Sequence, residues 1–151
     1  MDVAEILRKC DLTNGLNDAE IDNLAEVFHP RHAKRDEVVF KEGDPGTDLY
    51  IIGKGRFAVK IFSYTQPGEM EKITSLRDND IYGEFSVIDG SPRSASIVAE
   101  EDSDFIFSEK MAFQRFMETH EHIGFVLMRN VARILTGKLR RMNFEIRNAI
   151  L

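Results

Sequence analysis

Residues 81 to 96 carry the most specific pattern in the chain and read Ile81-Tyr82-Gly83-Glu84-Phe85-Ser86-Val87-Ile88-Asp89-Gly90-Ser91-Pro92-Arg93-Ser94-Ala95-Ser96. We expect one helical turn over Glu84 to Ile88, opened by Gly83, with strand-like segments on both sides. Backbone N–H groups at the start of a helix attract an anion. Pro92 fixes the turn before Arg93, whose guanidinium can then donate to two oxygens of a phosphate. The segment therefore predicts a site for an anion.

The neighbours of Arg93 refine this prediction. Ser94 can add a hydroxyl and Ala95 a backbone N–H to the same anion. Glu84 would repel an anion, so it fits better beside a sugar hydroxyl, whose hydrogen bond it would accept. Two plainer explanations stay open on these residues alone. Arg93 is then a surface arginine in a turn, and Glu84 is a carboxylate stabilised by the helix dipole.

Residues 37 to 108 are predicted to be mainly β. Short runs rich in β-branched and aromatic residues occur at Val38–Phe40, Leu49–Ile52, Phe57–Phe62, Lys72–Leu76, Ser96–Ala99 and Asp104–Phe107. Turn-forming residues separate them at Gly43–Gly46, Gly53–Gly55, Gln66–Gly68 and Asp89–Pro92. Many short strands with such spacing are typical of an antiparallel β-roll or jelly roll.

Residues 1 to 36 are predicted to form N-terminal helices. Apolar residues recur there at helical spacing in two sets: Val3, Ile6, Leu7 and Cys10, then Ile21, Leu24, Ala25 and Phe28. Asn17 is placed to cap the second helix, and Glu20 completes a capping box. Pro30 is expected to end this helix.

Residues 109 to 151 return to helical spacing. A short helix is predicted around Met111, Phe113, Phe116 and Met117, and a long helix from about His122. Along the long helix the apolar residues form a heptad seam: Met128, Ala132, Leu135, Leu139, Met142, Ile146 and Ala149. Such a seam pairs helices, so we expect a homodimer through the C-terminal helix. The alternative is that the seam packs on its own domain.

Composition and charge narrow the class of protein. The formal net charge is −6, which argues against a dedicated nucleic-acid binder because phosphate contacts need a basic face. The first residues lack the basic and then apolar run of a signal peptide, and no apolar stretch is long enough to span a membrane. Cys10 is the single cysteine, which fits a reducing compartment. We therefore expect one cytoplasmic domain over residues 1–151, with no membrane or nucleic-acid partner.

The segment 82–96 resembles the phosphate-binding cassette of the cyclic nucleotide-binding domains, the family of catabolite activator protein and of the regulatory subunit of cAMP-dependent protein kinase. The family pattern is a Gly-Glu pair, an apolar turn, and an arginine followed by a small residue and alanine. Here it is carried by Gly83, Glu84, Phe85, Val87, Ile88, Arg93, Ser94 and Ala95. Upstream, Phe40–Asp44 and Leu49–Gly55 are similar to the early strands and turns of the same family. The resemblance extends over most of the chain.

The resemblance implies a role for each residue of the cassette. Glu84 and Gly83 would hold the ribose, with the Glu84 carboxylate accepting from the 2′-hydroxyl. The cyclic phosphate would be held by residues on both sides of the turn: Arg93, Ser94, Ala95, Phe85 and Ser86. Val87 and Ile88, which we also expect in the core, would relay binding to the C-terminal helix.

The resemblance also bears on the base and on DNA. Lys138 and Arg141 lie where members of the family place a residue that caps the base. A threonine after the cassette arginine favours guanine in the family, and Ser94 is compatible with either base, so we favour cAMP with cGMP as the second ligand. The helix-turn-helix of the bacterial regulators does not follow the long helix before Leu151, so we expect no DNA contact.

The expected function is that of a regulatory sensor in signal transduction. A cyclic nucleotide would shift a conformational equilibrium in which the C-terminal helix repacks over the base. One alternative is a β-roll that no longer binds nucleotide and serves as a scaffold for an unknown protein partner. A jelly-roll enzyme would need a catalytic base or a metal set, which the histidines do not provide: His29, His32, His120 and His122. No catalytic residue, metal or cofactor is therefore expected.

Overall fold

Eight short strands and five α-helices make up the described part of the chain, residues 1–150 of the computed structural model. The strands are β1 (His29–Ala33), β2 (Val38–Phe40), β3 (Asp48–Lys54), β4 (Arg56–Phe62), β5 (Met70–Arg77), β6 (Ile81–Tyr82), β7 (Ser96–Ala99) and β8 (Ser103–Glu109). The helices are α1 (Val3–Lys9), α2 (Asp18–Ala25), α3 (Glu84–Asp89), α4 (Lys110–Thr119) and α5 (Glu121–Ile150), with a 3-10 turn at Asp11–Thr13. The predicted β-roll with helical flanks is confirmed.

Two antiparallel four-stranded sheets form the roll. Their strand orders are β1-β8-β3-β6 and β2-β7-β4-β5, so the strands on either side of the cassette, β6 and β7, lie in different sheets. Side chains alternate along β3: Tyr50 and Ile52 belong to one hydrophobic core, whereas Leu49 and Ile51 belong to a second core that the helices cover. The cassette therefore connects the two sheets.

Residues His29–Ala33 form a strand in a region that the sequence predicted to be helical. β1 pairs with β8 at the edge of its sheet, where Pro30 is tolerated because one side of the strand makes no ladder bonds. Only Ala33 of this strand is buried, so the strand lacks the alternation that makes such elements recognisable. The N-terminal helices end at Ala25, and the boundary predicted at residue 36 was wrong.

The capping box predicted at the start of α2 is confirmed. Asn17 Oδ1 accepts from the Glu20 N–H at 2.9 Å, and Glu20 Oε1 accepts from the Asn17 N–H at 3.0 Å. Phe28 lies beyond the end of the helix but is only 3% exposed, because it packs into the core that the helices cover. The N-terminal segment thus closes one face of the roll.

The long helix α5 is anchored at its beginning. Leu127 and Val131 are at most 3% exposed. Asn130 Nδ2 donates to the carbonyl oxygens of Leu12 at 2.7 Å and of Asn14 at 2.8 Å. Buried amide donors need such partners, so these bonds hold α5 in one position against the N-terminal 3-10 turn.

The heptad seam of α5 divides into two parts. Met128 and Leu135 pack against the core of their own domain. Leu139, Met142 and Ile146 are 60%, 54% and 53% exposed. The alternative of packing on the same domain therefore applies to the first part of the seam and leaves the second part exposed.

Judged over residues 1–150, none of the helices is both long and apolar enough to cross a membrane.

Candidate functional site

The cassette folds into helix α3 between two tight turns. Gly83 precedes α3 with φ 91° and Gly90 ends it with φ 71°, and both values lie in the left-handed region that favours glycine. Asp89 Oδ1 accepts from the Ser91 N–H at 2.9 Å, and hydrogen bonds from Ser91 lower the pKa of the Asp89 carboxyl. The helical turn predicted over Glu84 to Ile88 is confirmed, and it extends to Asp89.

The turn between β2 and β3 supports the backbone of the cassette. The Arg93 N–H donates to the Asp44 carbonyl oxygen, and the Gly43 N–H donates to the Arg93 carbonyl oxygen, both at 2.8 Å. The Lys41 N–H donates to Asp44 Oδ2 at 2.9 Å, which closes the turn. The upstream motif Phe40–Asp44 therefore holds the main chain of Arg93 in place.

The guanidinium of Arg93 is buried but incompletely bonded. The residue is 4% exposed, and its Nη2 donates to the Asp48 carbonyl oxygen at 2.8 Å. Its central carbon lies 4.3 Å from the ring centre of Phe40 and 5.4 Å from that of Tyr50. Within residues 1–150, Nε and Nη1 have no hydrogen-bond partner. Unpaired buried donors are costly, and the free donors of a guanidinium are suited to the oxygens of a phosphate.

Two tyrosines lie next to Arg93 as hydrogen-bond donors. Tyr50 Oη donates to Asp48 Oδ2 at 3.1 Å. Burial, followed by the Asp48 carboxylate, raises the pKa of Tyr50 to about 12. Burial also raises the pKa of Tyr82, an effect that a hydrogen bond with Ser94 opposes. Both hydroxyls therefore stay protonated at neutral pH and remain able to donate.

Glu84 is buried and paired with a lysine from the far end of the sequence. It is 3% exposed, and its Oε1 accepts a hydrogen bond from Nζ of Lys138 on α5. Lys138 Nζ also lies 5.7 Å from the ring centre of Phe85. In the described part of the chain, Lys138 is the one side chain that forms an ion pair with Glu84. The ion pair satisfies a carboxylate that burial would otherwise destabilise.

These groups line one small pocket. Its lining combines the cassette with one residue of α5: Tyr82, Gly83, Glu84, Phe85, Ser86, Arg93, Ser94 and Lys138. A second, small cavity lies in the core between the sheets and is lined by apolar and aromatic side chains. Tyr82 lines both spaces. Tyr82 is thus shared by the polar pocket and the apolar cavity.

Four residues with predicted roles lie outside this lining. Ala95 packs into the core between the sheets. Val87 is 5% exposed in the core that the helices cover, and its carbonyl oxygen accepts from Gln114 Nε2 of α4 at 3.0 Å. Ile88 is 51% exposed, so its predicted place in the core was wrong, because it lies on the outer face of α3. Arg141 is exposed on α5 and does not line the pocket.

Three residues that shape the site were not among the predicted site residues. Asp48 accepts from Arg93 through its main chain, which no side-chain pattern signals. Phe40 and Tyr50 stack on the guanidinium, although both belong to the upstream motif that the sequence singled out. The available signal was their place in that motif, whereas their contact with Arg93 is visible only in the structure.

The fold and the pocket define a β-roll ligand-binding domain. The sequence profile of the cyclic nucleotide-binding domain matches residues 30–120. The chain belongs to the cyclic nucleotide-binding domain family.

Relatives in sequence and structure agree with this assignment. The chain is 30% identical over 146 residues to a CRP-like cAMP-activated global transcriptional regulator of Mycobacterium tuberculosis, covering 97% of this chain and 62% of that protein. It is 30% identical over 138 residues to a cyclic AMP receptor protein of Thermus thermophilus, covering 89% of this chain and 60% of that protein. A cyclic nucleotide-binding domain from Methylobacillus flagellatus matches with a TM-score of 0.86 and 28% identity, over 99% of this chain and 83% of that one.

The chain spans 62% and 60% of the length of these two curated relatives. They are described as a transcriptional regulator and a receptor protein, so the match is to regulatory proteins and not to enzymes.

Proposed function

We propose that the chain binds a cyclic nucleotide, cAMP in preference to cGMP, and acts as a regulatory sensor. The observation that carries this proposal is that two nitrogens of buried Arg93, Nε and Nη1, have no partner and share one pocket with the buried carboxylate of Glu84. A phosphate would accept hydrogen bonds from these free donors, and a ribose 2′-hydroxyl would donate to the carboxylate. A cyclic nucleotide presents both groups in one molecule.

The response would pass from the cassette to the C-terminal helices. Gln114 of α4 donates to the Val87 carbonyl oxygen of α3, and α4 packs against α5. A phosphate that draws α3 toward Arg93 would therefore displace α4 and, through it, α5. Such a relay is a population shift between two arrangements of the helices. The preference for cAMP is carried over from the relatives named above, because Ser94 is compatible with adenine and with guanine and so does not distinguish cAMP from cGMP.

The first experiment measures the melting temperature of the chain with cAMP, cGMP and AMP. A ligand at 100 times its dissociation constant stabilises a protein by about 2.7 kcal/mol. For a domain of this size the shift is roughly 5–11 °C. We expect a shift with cAMP, a smaller one with cGMP and none with AMP. The absence of any shift in a folded sample would favour the alternative of a protein-interaction scaffold.

A second part of the proposal is a homodimer through the exposed part of the seam. Leu139→Glu is expected to convert a dimer into a monomer, because it places a charge among exposed apolar side chains that a partner helix would cover. Light scattering gives the mass of each variant. Arg140→Glu is the matched control, since position 140 lies beside the seam and not in it. A monomeric wild type, or a dimer that survives Leu139→Glu, would contradict the proposal.

The cytoplasmic location and the absence of a nucleic-acid partner stay predictions.

A further inference from the structure

We propose that Lys138 is an internal competitor of the ligand: its ammonium occupies the Glu84 carboxylate in the free protein and must leave before a ribose can bind. This inference rests on the proposed function and concerns the regulation of the same pocket. Its starting point is the ion pair between Lys138 Nζ and Glu84 Oε1, which joins α5 to the cassette.

The burial of the two partners shows which of them depends on the contact. The side chain of Glu84 is 4% exposed, whereas that of Lys138 is 33% exposed. A buried carboxylate without a cation or a hydrogen-bond donor is strongly disfavoured, but a partly exposed ammonium can return to water. Phe85 lies under the ammonium at 5.7 Å and is 46% exposed, so it supports this position without enclosing it. Lys138 can therefore swing out of the pocket while Glu84 stays in place.

Competition follows from the position of the ammonium: Lys138 lines the pocket beside Glu84 Oε1, in the space that a ribose would need. A ribose 2′-hydroxyl would donate to the carboxylate that the ammonium now holds. Binding would then replace an ion pair by a hydrogen bond to a neutral hydroxyl, which is the weaker of the two. The measured affinity would be lower than the intrinsic affinity of the pocket, because only molecules with Lys138 displaced are competent to bind.

The position of Lys138 along α5 links this competition to the helix. Val131 is the last buried residue of α5 within the described chain, and Lys138 lies about two helical turns beyond it. Its ion pair thus ties the more exposed half of the helix to the cassette. Displacement of Lys138 by a ligand would release that half. Loss of the ion pair and movement of α5 would be one event.

The test compares Lys138→Met with the wild type by titration calorimetry with cAMP. Methionine keeps the length and the helix propensity of the side chain but cannot hold the carboxylate. We expect Lys138→Met to bind at least about tenfold more tightly, equivalent to about 1.4 kcal/mol. Lys138→Gln, which still donates to Glu84, is expected to fall between the two. Arg133→Met is the control, because Arg133 is an exposed cation on α5 outside the pocket.

The outcomes separate this inference from the proposed function. A wild type that binds cAMP, with Lys138→Met binding equally or less tightly, would overturn the competition. Weaker binding by the variant would make Lys138 a contact for the ligand. If neither protein binds a cyclic nucleotide, the proposed function itself fails. If the wild type shows no binding of cAMP but the Lys138→Met variant binds it, the competition would be strongly supported. Tighter binding by Arg133→Met as well would overturn it, since the effect would then come from net charge.

Discussion

Arg93→Ala is expected to weaken cyclic nucleotide binding by about 30-fold to about 4,000-fold, corresponding to about 2–5 kcal/mol. Two buried nitrogens of the guanidinium have no partner elsewhere in residues 1–150, so a phosphate bound there would lose its main source of positive charge in the variant. Removing one partner of a buried charge pair leaves the other uncompensated, which accounts for the large effect. Calorimetric titration with cAMP measures the change.

The free protein should tolerate the same substitution. In the absence of ligand, Arg93 donates one hydrogen bond to the Asp48 carbonyl oxygen and packs on Phe40, but two of its nitrogens are unpaired donors in a buried site. Alanine removes the favourable contacts of Arg93 together with its unpaired buried donors, so the free energy of unfolding should change little. Circular dichroism should show that the variant is folded. Arg93→Lys is the matched variant. It keeps the charge without the planar fork, and its affinity should lie between those of the wild type and the alanine variant. Undiminished binding by Arg93→Ala would place the phosphate elsewhere.

Gly83→Ala is expected to damage both the fold and the site. Residue 83 has φ 91°, and a Cβ added there would lie 2.6 Å from the Asp48 carbonyl oxygen and 2.7 Å from Arg93 Nη1. Either the main chain of the cassette or the Arg93–Asp48 bond must give way. Strain of this kind costs of order 1–3 kcal/mol. For a domain of this size it lowers the melting temperature by roughly 2–12 °C. Affinity for cAMP should fall at least about tenfold, because the displaced guanidinium no longer points into the pocket.

Gly90→Ala is the control that separates backbone strain from the contact with Arg93. Gly90 also has a positive φ, 71°, but an added Cβ would meet Lys110 Nζ at 3.4 Å, the end of a flexible side chain. We expect a loss of stability of about 1 kcal/mol, as for other residues forced into the left-handed region, and nearly unchanged affinity. Equal losses of affinity in the Gly83 and Gly90 variants would contradict the role assigned to the Arg93–Asp48 contact.

Features with a local cause could be predicted from the sequence. The glycines and proline around α3 predict tight turns at those positions, whatever surrounds them, and the structure has α3 and its turns there. The capping box of α2 depends on two residues within one helical turn. The long runs of β-branched and aromatic residues are strands in the structure, because their side chains alternate between two cores.

Elements without such patterns could not be predicted in the same way. β1 lies at a sheet edge and buries a single residue, and β6 is two residues long, so neither has enough alternation to be recognised. Their extended conformation comes from pairing with β8 and β3, which are distant in the sequence. Ile88 is exposed because α3 turns that face outward, a choice that depends on how the helix packs.

The candidate site combines both kinds of information. The family pattern in residues 82–96 indicates which side chains are available, and it names Glu84 and Arg93 as the charged pair. The partners of this pair come from elsewhere: Asp48 is 45 residues from Arg93, and Lys138 is 54 residues from Glu84. No local rule connects positions so far apart. Turns and caps arise from interactions within a few residues, whereas the contacts that tune the pocket exist only after the sheets and α5 have packed together.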